Sequence, residues 1–388
     1  MDPDAPRVHP LGEPQRPPTR RASPLFLGAT AAAVFAVGIW IFQGGGERPS
    51  AISTTSSSLS NQTLPTSTTT SPALLPDTPW TLIFDDGLEG VVVLDPNHPV
   101  GQTSELEGQR PGDQPYRLEL VDSHLIVGWE QVHAVDIRSG ESTVIGEATI
   151  FVPAAESDRV WLIDYAGGRI GQGAVQVWQV SVSGEVLTPP VLIETDGFPA
   201  IGVPGGLVIE SGSGISIWDP TLAEVVEMGS GPGFVSDVTV GHGSALAWCS
   251  DLCDEFHVTE VTSGADQVFI HPELSSPFLG RWARFSGDGR YLAAPTEVGD
   301  IVIFDRETGA SEVAFSLPNS NFAKLEWAPS GYELFASVSN QDGLSTTIAY
   351  YRLGAGRPDT FQVSLALRFD FVVVTEEEAQ SFLATSTG

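Results

Sequence analysis

Residues 281–317, RWARFSGDGRYLAAPTEVGDIVIFDRETGASEVAFSL, contain four short apolar runs separated by three tight turns. The runs are WARF, YLAAP, IVIFD and SEVAFSL, and the turns SGDGR, TEVGD and RETG carry the small polar residues that favour chain reversal. Four antiparallel strands of this length form one small sheet. Because the sheet is apolar on both faces, it requires further sheets to pack against.

The third strand of this unit and the turn after it recur about every 40 residues along the chain. The recurring turns end at Pro99, Gly140, Gly184, Ala223, Gly264, Gly309 and Gly354. The intervals are 41, 44, 39, 41, 45 and 45 residues, which is the length that a four-stranded hairpin unit requires. The spacing therefore predicts seven copies of one sheet.

The two ends of the repeat region indicate how the copies are joined. Trp80 begins at the second strand of the first copy, and one strand, RFDFVVVT at 368–375, is left over after the seventh. Pairing the spare strand with the first copy closes a ring and removes the exposed edges. We therefore predict an all-β, seven-bladed β-propeller over residues 80–375, closed by its C-terminal strand, with a short helical or frayed tail at 376–388.

The segment before the propeller has the pattern of a membrane anchor. Residues 1–23 are rich in proline and arginine, and 24–42, PLFLGATAAAVFAVGIWIF, contain no charge over 19 residues. The arginines before the apolar run predict a cytoplasmic N-terminus and an extracytoplasmic propeller, in a single-pass protein of the cell membrane. A cleaved signal peptide is the alternative, and the length of the run and the missing A-x-A site favour the transmembrane helix. The Ser/Thr/Pro-rich residues 43–79 are predicted to be a disordered linker.

The formal net charge of −31 belongs entirely to residues 80–388, which hold 13 basic and 44 acidic side chains. Such a surface repels phosphate backbones, so nucleic acid is excluded as a partner. Two interpretations stay open: attraction of cations or basic partners, and solubility of an exported domain. The single lysine, Lys324, stands against 17 arginines and is interpreted as a coding bias.

Units four, six and seven carry motifs of a known family. Ile217-Trp218-Asp219 and Ile303-Phe304-Asp305 end third strands, and SGDGR at 286–290 and APSG at 328–331 lie between first and second strands. With these motifs the chain resembles the WD-repeat family and related bacterial propellers, although the family's Gly-His pair occurs only at Gly241-His242, out of register. The resemblance implies a scaffold for binding and does not by itself imply catalysis.

Cys249 and Cys253, in WCSDLCDEF, are the only cysteines of the chain. Outside the membrane, an even pair at this spacing predicts a disulfide at the tip of the fifth unit. A metal site that also uses the neighbouring acids and histidine, and a pair of free thiols, are the alternatives. The neighbouring side chains are Asp251, Asp254, Glu255 and His257.

No catalytic residue, metal ligand set or cofactor motif stands out elsewhere. There is no G-x-S-x-G sequence, and the glycine-rich turns lack the Lys-Ser/Thr of a phosphate loop. The aspartates at strand ends are predicted to cap turns, and the tryptophans are predicted to pack between blades. The aspartates are Asp219, Asp300 and Asp305, and the remaining histidines occur singly at His98, His124, His133, His242 and His271.

Two functions of different classes follow. The first is a non-enzymatic binding or scaffolding module at the cell surface, which takes a protein or small ligand at one propeller face near loops 166–174 and 249–256. The alternative is a metal-assisted extracytoplasmic hydrolase or lactonase-like propeller enzyme. That alternative requires several Asp, Glu or His side chains to converge on the central channel.

Overall fold

The computed structural model describes most of the predicted propeller and the C-terminal tail. The described residues are 78–85, 90–96, 98–105, 117–165, 174–195, 197–211, 214–222, 224–230, 233–238, 245–250, 253, 255–271, 282–317, 321–339, 345–363 and 370–386. The predicted cytoplasmic tail, the transmembrane helix and all of the linker except Thr78 and Pro79 lie outside these ranges. Within the described ranges, the one helix falls short of the length and apolarity that a membrane span requires.

These residues form short antiparallel strands, as the repeat predicts, followed by one helix. The elements are β1 Trp80–Asp85, β2 Gly90–Asp95, β3 His98–Glu105, β4 Arg117–Val121, β5 His124–Asp136, β6 Ser142–Ala148, β7 Ile150–Pro153, β8 Arg159–Tyr165, β9 Ala174–Ser181, β10 Val186–Glu194, β11 Phe198–Val203, β12 Gly206–Ser211, β13 Gly214–Asp219, β14 Glu224–Ser230, β15 Gly233–Val238, β16 Ala245–Ser250, β17 Glu255–Glu260, β18 Asp266–Ile270, β19 Arg284–Phe285, β20 Tyr291–Pro295, β21 Asp300–Asp305, β22 Ser311–Ser316, β23 Asn321–Trp327, β24 Glu333–Ser339, β25 Thr346–Arg352, β26 Asp359–Val363, β27 Phe371–Thr375 and α1 Glu376–Ser386.

The strands are arranged in seven sheets, which we number as blades in chain order. Blade 1 has the order β27-β1-β2-β3, blade 2 contains β4 to β6, and blades 3 to 7 take four consecutive strands each from β7 to β26. The first strand of every blade contacts the first strands of both neighbouring blades, in the cycle β27-β4-β7-β11-β15-β19-β23 and back to β27. The chain is therefore a seven-bladed β-propeller.

Each gap between neighbouring blades holds one apolar cluster. Seven such clusters occur among the described residues, and each draws side chains from two adjacent blades. Between blades 7 and 1, for example, Phe335 and Phe361 pack with Leu82 and Phe84. The core is thus distributed around the ring, because no single blade can bury its own two faces.

Blade 2 departs from the predicted four separate strands. β5 runs continuously from His124 to Asp136; its first half pairs with β4 and its second half with β6. The N–H of Ile137 donates to the carbonyl of Ser123 at 3.0 Å, so the two ends of β5 lie side by side and the strand folds back on itself. Gly128 permits the reversal: its φ is +136°, and a Cβ there would lie 2.1 Å from the Gln131 carbonyl oxygen.

The turns after third strands are built as the sequence predicts. At the β21–β22 turn, the Asp305 carboxylate accepts from the N–H of Glu307 at 2.9 Å, and Gly309 takes a φ of +71°. Asp219 caps its own turn in the same way, at 2.7 Å from the N–H of Thr221. The prediction is wrong for Asp300, because the capping side chain there is Thr296, whose Oγ1 accepts from the Asp300 N–H at 3.0 Å.

The C-terminal strand closes the ring, which confirms the prediction made from the ends of the repeat. β27 pairs antiparallel with β1 from Phe371, opposite Phe84, to Thr375, opposite Trp80. The rings of Phe84 and Phe371 stack with centroids 5.0 Å apart. Blade 1 therefore takes its innermost strand from the end of the chain and its other three from the beginning.

Lys324 fastens this strand to blade 7. Its side chain is buried on β23, and its Nζ donates to the carboxylate of Asp370 and, at 2.8 Å, to the carbonyl of Phe371. Nζ also lies 3.5 Å from Glu326 Oε2. One ammonium group therefore joins the last blade to the strand that completes the first.

The tail after β27 is the helix α1, and it is part of the fold. Thr375 and Glu378 cap it reciprocally: the Glu378 N–H donates to Thr375 Oγ1 at 3.2 Å, and the Thr375 N–H donates to Glu378 Oε2 at 2.9 Å. Ala379, Phe382 and Leu383 are buried in the apolar cluster between blades 1 and 2. The helix thus covers an inter-blade gap that would otherwise be open to water.

Replacement of Lys324 by methionine is expected to destabilise the propeller by about 3–5 kcal/mol, because it leaves the carboxylates of Asp370 and Glu326 without their buried counter-ion. The free energy of unfolding of the 388-residue chain in mild detergent, from urea denaturation, measures the loss. Arg357→Met, at an exposed loop position, is the control and should change it by less than about 0.5 kcal/mol. Equal effects of the two substitutions would contradict the role of Lys324.

Candidate functional site

A cavity of about 450 Å³ lies at the inner strands of blades 2 to 6, on the propeller axis. We refer to it as the axial cavity. Its polar lining residues are Glu119, Glu210, Ser236, Asp237 and Arg284, and its apolar lining residues are Leu120, Ile150, Pro153, Phe198, Pro199, Ala200, Ile201, Val235 and Trp282.

Most of the lining comes from the first strands of the blades. β7 and β11, in blades 3 and 4, have the sequences IFVP and FPAIGV and contribute only apolar residues. β4, β15 and β19 each contribute at least one charged side chain, and Glu210 comes from β12. A ligand held here would therefore contact both hydrocarbon and charged groups.

Arg284 on β19 is held by blade 5 and by its own backbone. Its Nη1 donates to the carbonyls of Ser236 and Ala283, both at 3.0 Å. Burial opposes the charged form, but the carboxylates of Asp237 and Glu326 and, further off, Glu119 and Asp370 outweigh it, so the pKa of Arg284 lies above its ordinary value. The guanidinium is thus a fixed positive charge, and its Nη1 is bonded to two backbone carbonyls.

Lys324 and Glu326, two residues apart on β23, continue this network on the blade 7 side. Burial works against the Lys324 ammonium, yet attraction by Asp370 and Glu326 is stronger and raises its pKa. Burial raises the pKa of Glu326 to about 7, and the nearby Lys324 and Arg284 only partly oppose this shift. The Glu326 side chain is 28% exposed.

Three carboxylates also join neighbouring blades through backbone N–H groups. Asp370 accepts from Leu118 at 2.9 Å, from blade 1 to blade 2, and Asp237 accepts from Phe285 at 2.7 Å, from blade 5 to blade 6. Glu210 accepts from Val235 at 3.2 Å, from blade 4 to blade 5. These three acids therefore hold the ring together as well as line its axis.

Acidic side chains outnumber basic ones around the axis. In the described part of the chain, five carboxylates accompany the two cations Arg284 and Lys324. The five are Glu119, Glu210, Asp237, Glu326 and Asp370. Burial is the main cause of the raised pKa of Glu326, and the nearby carboxylates of Glu119 and Asp237 add to it.

The predicted disulfide is present, but away from the axis. Cys249 and Cys253 are paired with their Cα atoms 4.9 Å apart. Both side chains are buried in the apolar cluster between blades 5 and 6, with Phe256 and Phe304. The disulfide therefore contributes to the core of blade 5 and closes the end of β16.

The histidines that the sequence singled out are not brought together. His133 is buried and its Nδ1 lies 3.2 Å from Ser142 Oγ, while His242 lies outside the described residues. His257 lies on blade 5 between Asp266, 2.7 Å from Nδ1, and Glu255, 3.2 Å from Nε2, and it stacks on Trp248 with ring centroids 4.2 Å apart.

The structure describes three further candidate histidines but only part of the two predicted loops. His98, His124 and His271 lie on three different strands or strand ends. Among the residues that the structure describes, no group of three or more His, Cys, Asp or Glu side chains is arranged to hold a metal ion. Asp251, Asp254 and loop residues 166–173 fall outside them, so the expectation that loops 166–174 and 249–256 form the working face stays a prediction.

Three of the tryptophans pack between blades, whereas Trp248 stacks on His257 of its own blade. The rings of Trp161 in blade 3 and Trp218 in blade 4 meet edge to face, with centroids 6.0 Å apart. Trp327 in blade 7 stacks on Tyr291 of blade 6 and donates its indole N–H to the Arg284 carbonyl at 2.9 Å. These contacts confirm the packing role at three of the positions.

The sequence reasoning missed the charged side chains at the axis. Glu119, Asp237, Arg284, Lys324 and Glu326 each lie on the first strand of a blade, where an apolar run was expected to be buried. One signal was available: a lone lysine inside the strand NFAKLEW, flanked by a glutamate two residues later. A charged residue in a strand that must be buried indicates a paired or functional position.

The fold defines the chain as a member of the β-propeller class. A solved structure of oligogalacturonate lyase in complex with manganese matches with a TM-score of 0.50 at 9% identity, over 74% of this chain and 90% of that one. Apo AztD from Citrobacter koseri matches with a TM-score of 0.47 at 12% identity, over 77% and 98%. Kluyveromyces lactis Hsv2 matches with 0.44 at 14%, over 60% and 72%. At such identities the likeness concerns the fold alone.

No family model matches the sequence, and no curated protein matches it either. The function must be argued from the site itself.

Glu326→Gln is expected to make the stability of the protein less dependent on pH. The folded state retains a proton on Glu326 up to about pH 7, whereas the unfolded chain releases it near the ordinary pKa of 4.5, so stability is lost as the pH rises between these values. Relative to wild type, the variant should gain about 1–3 kcal/mol over this range and no more above it. Urea denaturation of both proteins at several pH values between 4.5 and 8 provides the measurement.

The matched control is Glu147→Gln, at an exposed position on β6. Its stability should run parallel to that of the wild type across the same pH range. A Glu326→Gln profile that is also parallel to wild type would show that the buried carboxyl has an ordinary affinity for its proton.

Proposed function

We propose that this chain is a non-enzymatic binding module, a WD-repeat-like propeller that is anchored to the outer face of the cell membrane and takes a small ligand into its axial cavity. The observation that carries the proposal is the cavity itself. Its volume of about 450 Å³ is within the range of small-molecule sites. Its lining combines many apolar residues with a few polar side chains.

Two of the charged residues that line the cavity are already held in position before any ligand binds. Asp237 and Arg284 are fixed by bonds to the backbone of neighbouring blades. Rigid first strands hold them, so little side-chain entropy is lost when a ligand binds. This pre-organisation favours recognition at the axis over recognition by the longer loops alone.

The second candidate function is the metal-assisted hydrolase or lactonase-like enzyme. Two observations favour it. Acidic side chains converge on the axis, as this alternative requires, and a carboxyl group with a pKa of about 7, such as that of Glu326, is suited to general acid–base catalysis. However, Glu326 lies 3.5 Å from Lys324 in a network that joins blade 7 to β27. The described residues also supply no three-ligand metal group, so the binding module is the better supported function.

The anchor is proposed from the sequence of residues 24–42, with 43–79 as the tether. Deletion of 24–42 is expected to move the protein from the membrane fraction to the soluble fraction, because these residues carry the apolar run. Differential centrifugation, followed by protease treatment of intact spheroplasts, tests both the anchor and its direction. A wild-type propeller that the added protease does not reach would contradict an extracytoplasmic location.

Filling the axial cavity is expected to abolish ligand binding. In Ala200→Phe the new ring would occupy space within the cavity. Binders of the wild type are first found by a ligand-detected NMR screen of charged and neutral fragments. Their affinity for the variant should be at least about tenfold lower. Gln362→Phe, at an exposed position on β26, is the matched control. Binders that tolerate Ala200→Phe as well as Gln362→Phe would place the working site elsewhere.

A further inference from the structure

We infer that the chain has a second binding site, which lies between blades 3 and 4 and takes a neutral, hydroxylated ring such as one pyranose unit of a sugar. The site is a cavity of about 230 Å³ that is lined by residues of these two blades only, and we call it the inter-blade cavity. None of its lining residues lines the axial cavity. The inference therefore goes beyond the proposed function and does not depend on it.

Blade 3 contributes a row of three side chains with polar groups to this cavity. Trp161 on β8 is opposite Gln179 on β9, and Gln179 is opposite Thr188 on β10, so the three residues lie side by side across the sheet. All three line the cavity. The register between β9 and β10 shifts on both sides of Thr188, and such irregularities are common where a strand re-aims a side chain next to a functional site.

Gln179 is buried in this row without a hydrogen-bond partner for its side chain. The residue is 7% exposed, and its amide makes no hydrogen bond to any residue that the structure describes. The amide oxygen and nitrogen are nevertheless not closed off from the cavity, unlike the buried indole N–H of Trp161, which also lacks a partner in the described chain. Since a buried amide without a partner is costly, a ligand that bonds to it in the cavity is favoured.

The repeat shows that this amide is not needed for packing. Gln179 is the third residue from the end of the third strand of its blade. In the other six blades, counting back from the end of the corresponding strand, the same position holds an apolar or aromatic residue: Val93, Ala134, Ile217, Val258, Ile303 and Tyr350. A polar side chain at a buried position that is apolar in the sister units indicates a role other than packing.

The lining selects a neutral ligand with several hydroxyl groups. The Gln179 amide offers both donor and acceptor atoms, as does the Thr188 hydroxyl, and a ligand hydroxyl can match either. The two acids of the lining are already engaged: Asp219 caps its own turn, and Glu156 is exposed and lies 4.0 Å from Arg159. A charged ligand group would therefore lose water against neutral buried side chains. At about 230 Å³ the cavity is smaller than the sites of drug-sized ligands, so it holds one ring and not an extended molecule.

The test uses three probes of one shape: glucose, glucosamine and glucuronate, which are neutral, cationic and anionic at pH 6. Galactose and mannose extend the neutral set, and cellobiose separates a free sugar from the terminal unit of a longer glycan. Saturation-transfer NMR is carried out with the 388-residue chain in a detergent without a sugar headgroup. It should detect binding of at least one neutral sugar at millimolar concentration and of neither charged sugar.

Gln179→Ile installs the side chain that blades 4 and 6 carry at this position. It should weaken binding of the neutral sugar about tenfold or more, because the hydrogen bonds of the amide are lost. It should not lower the free energy of unfolding, since an unpaired buried amide is removed. Gln176→Ile, at an exposed position on the same strand, is the matched control and should leave binding unchanged. Thr188→Val, which removes only the hydroxyl from the row, is the second variant and should also weaken binding.

Failure to bind any neutral sugar overturns the inference, as does equal binding by the wild type, Gln179→Ile and Thr188→Val. Tighter binding of glucosamine or glucuronate also overturns it, because the cavity would then select a charged ligand. Ala200→Phe separates the two sites. Sugar binding that survives this substitution and is lost in Gln179→Ile supports the inter-blade cavity, whether or not the axial cavity binds a ligand. Sugar binding that is lost in Ala200→Phe and kept in Gln179→Ile would place the sugar at the axis and overturn the second site.

Discussion

The ion pair between Lys324 and Asp370 is the interaction on which the ring depends. Seven blades bury their faces only when every blade has two neighbours, and the last gap is closed by a strand that arrives from the end of the chain. An ammonium group that contacts both the Asp370 carboxylate and the Phe371 carbonyl fixes the start of that strand. A buried pair of this kind gives little net stability over an apolar one, but it specifies a single register for the closing strand.

The same first strands that close the ring also supply the chemistry of the axis. A residue on a first strand has neighbours in two other blades, so a carboxylate there can bind a backbone N–H across the gap and still face the channel, as Asp237 does. Charged side chains that join the blades therefore also line the cavity. In keeping with this combination, the described residues around the axis include five carboxylates and two cations.

Much of the fold could be predicted from sequence, because blades are built from local hairpins. The turn glycines and the interval of about 40 residues indicated seven units. The unmatched strand at the C-terminus indicated that the last strand closes the ring. The repeat also requires the chain to reverse within blade 2, but it does not show that the two strands joined at Gly128 run on as one element, β5. The residues of the axial site were not predicted, because they come from five blades and no short motif connects Glu119 with Arg284. Only the lone lysine marked the region in the sequence.

The pairing of β1 has a mechanical consequence. The strand enters the propeller directly after Pro79 and is hydrogen-bonded along its length to β27 on one side and to β2 on the other. Tension applied to the preceding chain therefore acts parallel to two ladders at once, so that their bonds must fail together and not one after another. A domain attached in this manner resists extraction by force far better than one whose first strand forms an edge, and its lifetime under load is set by the rate of that concerted rupture.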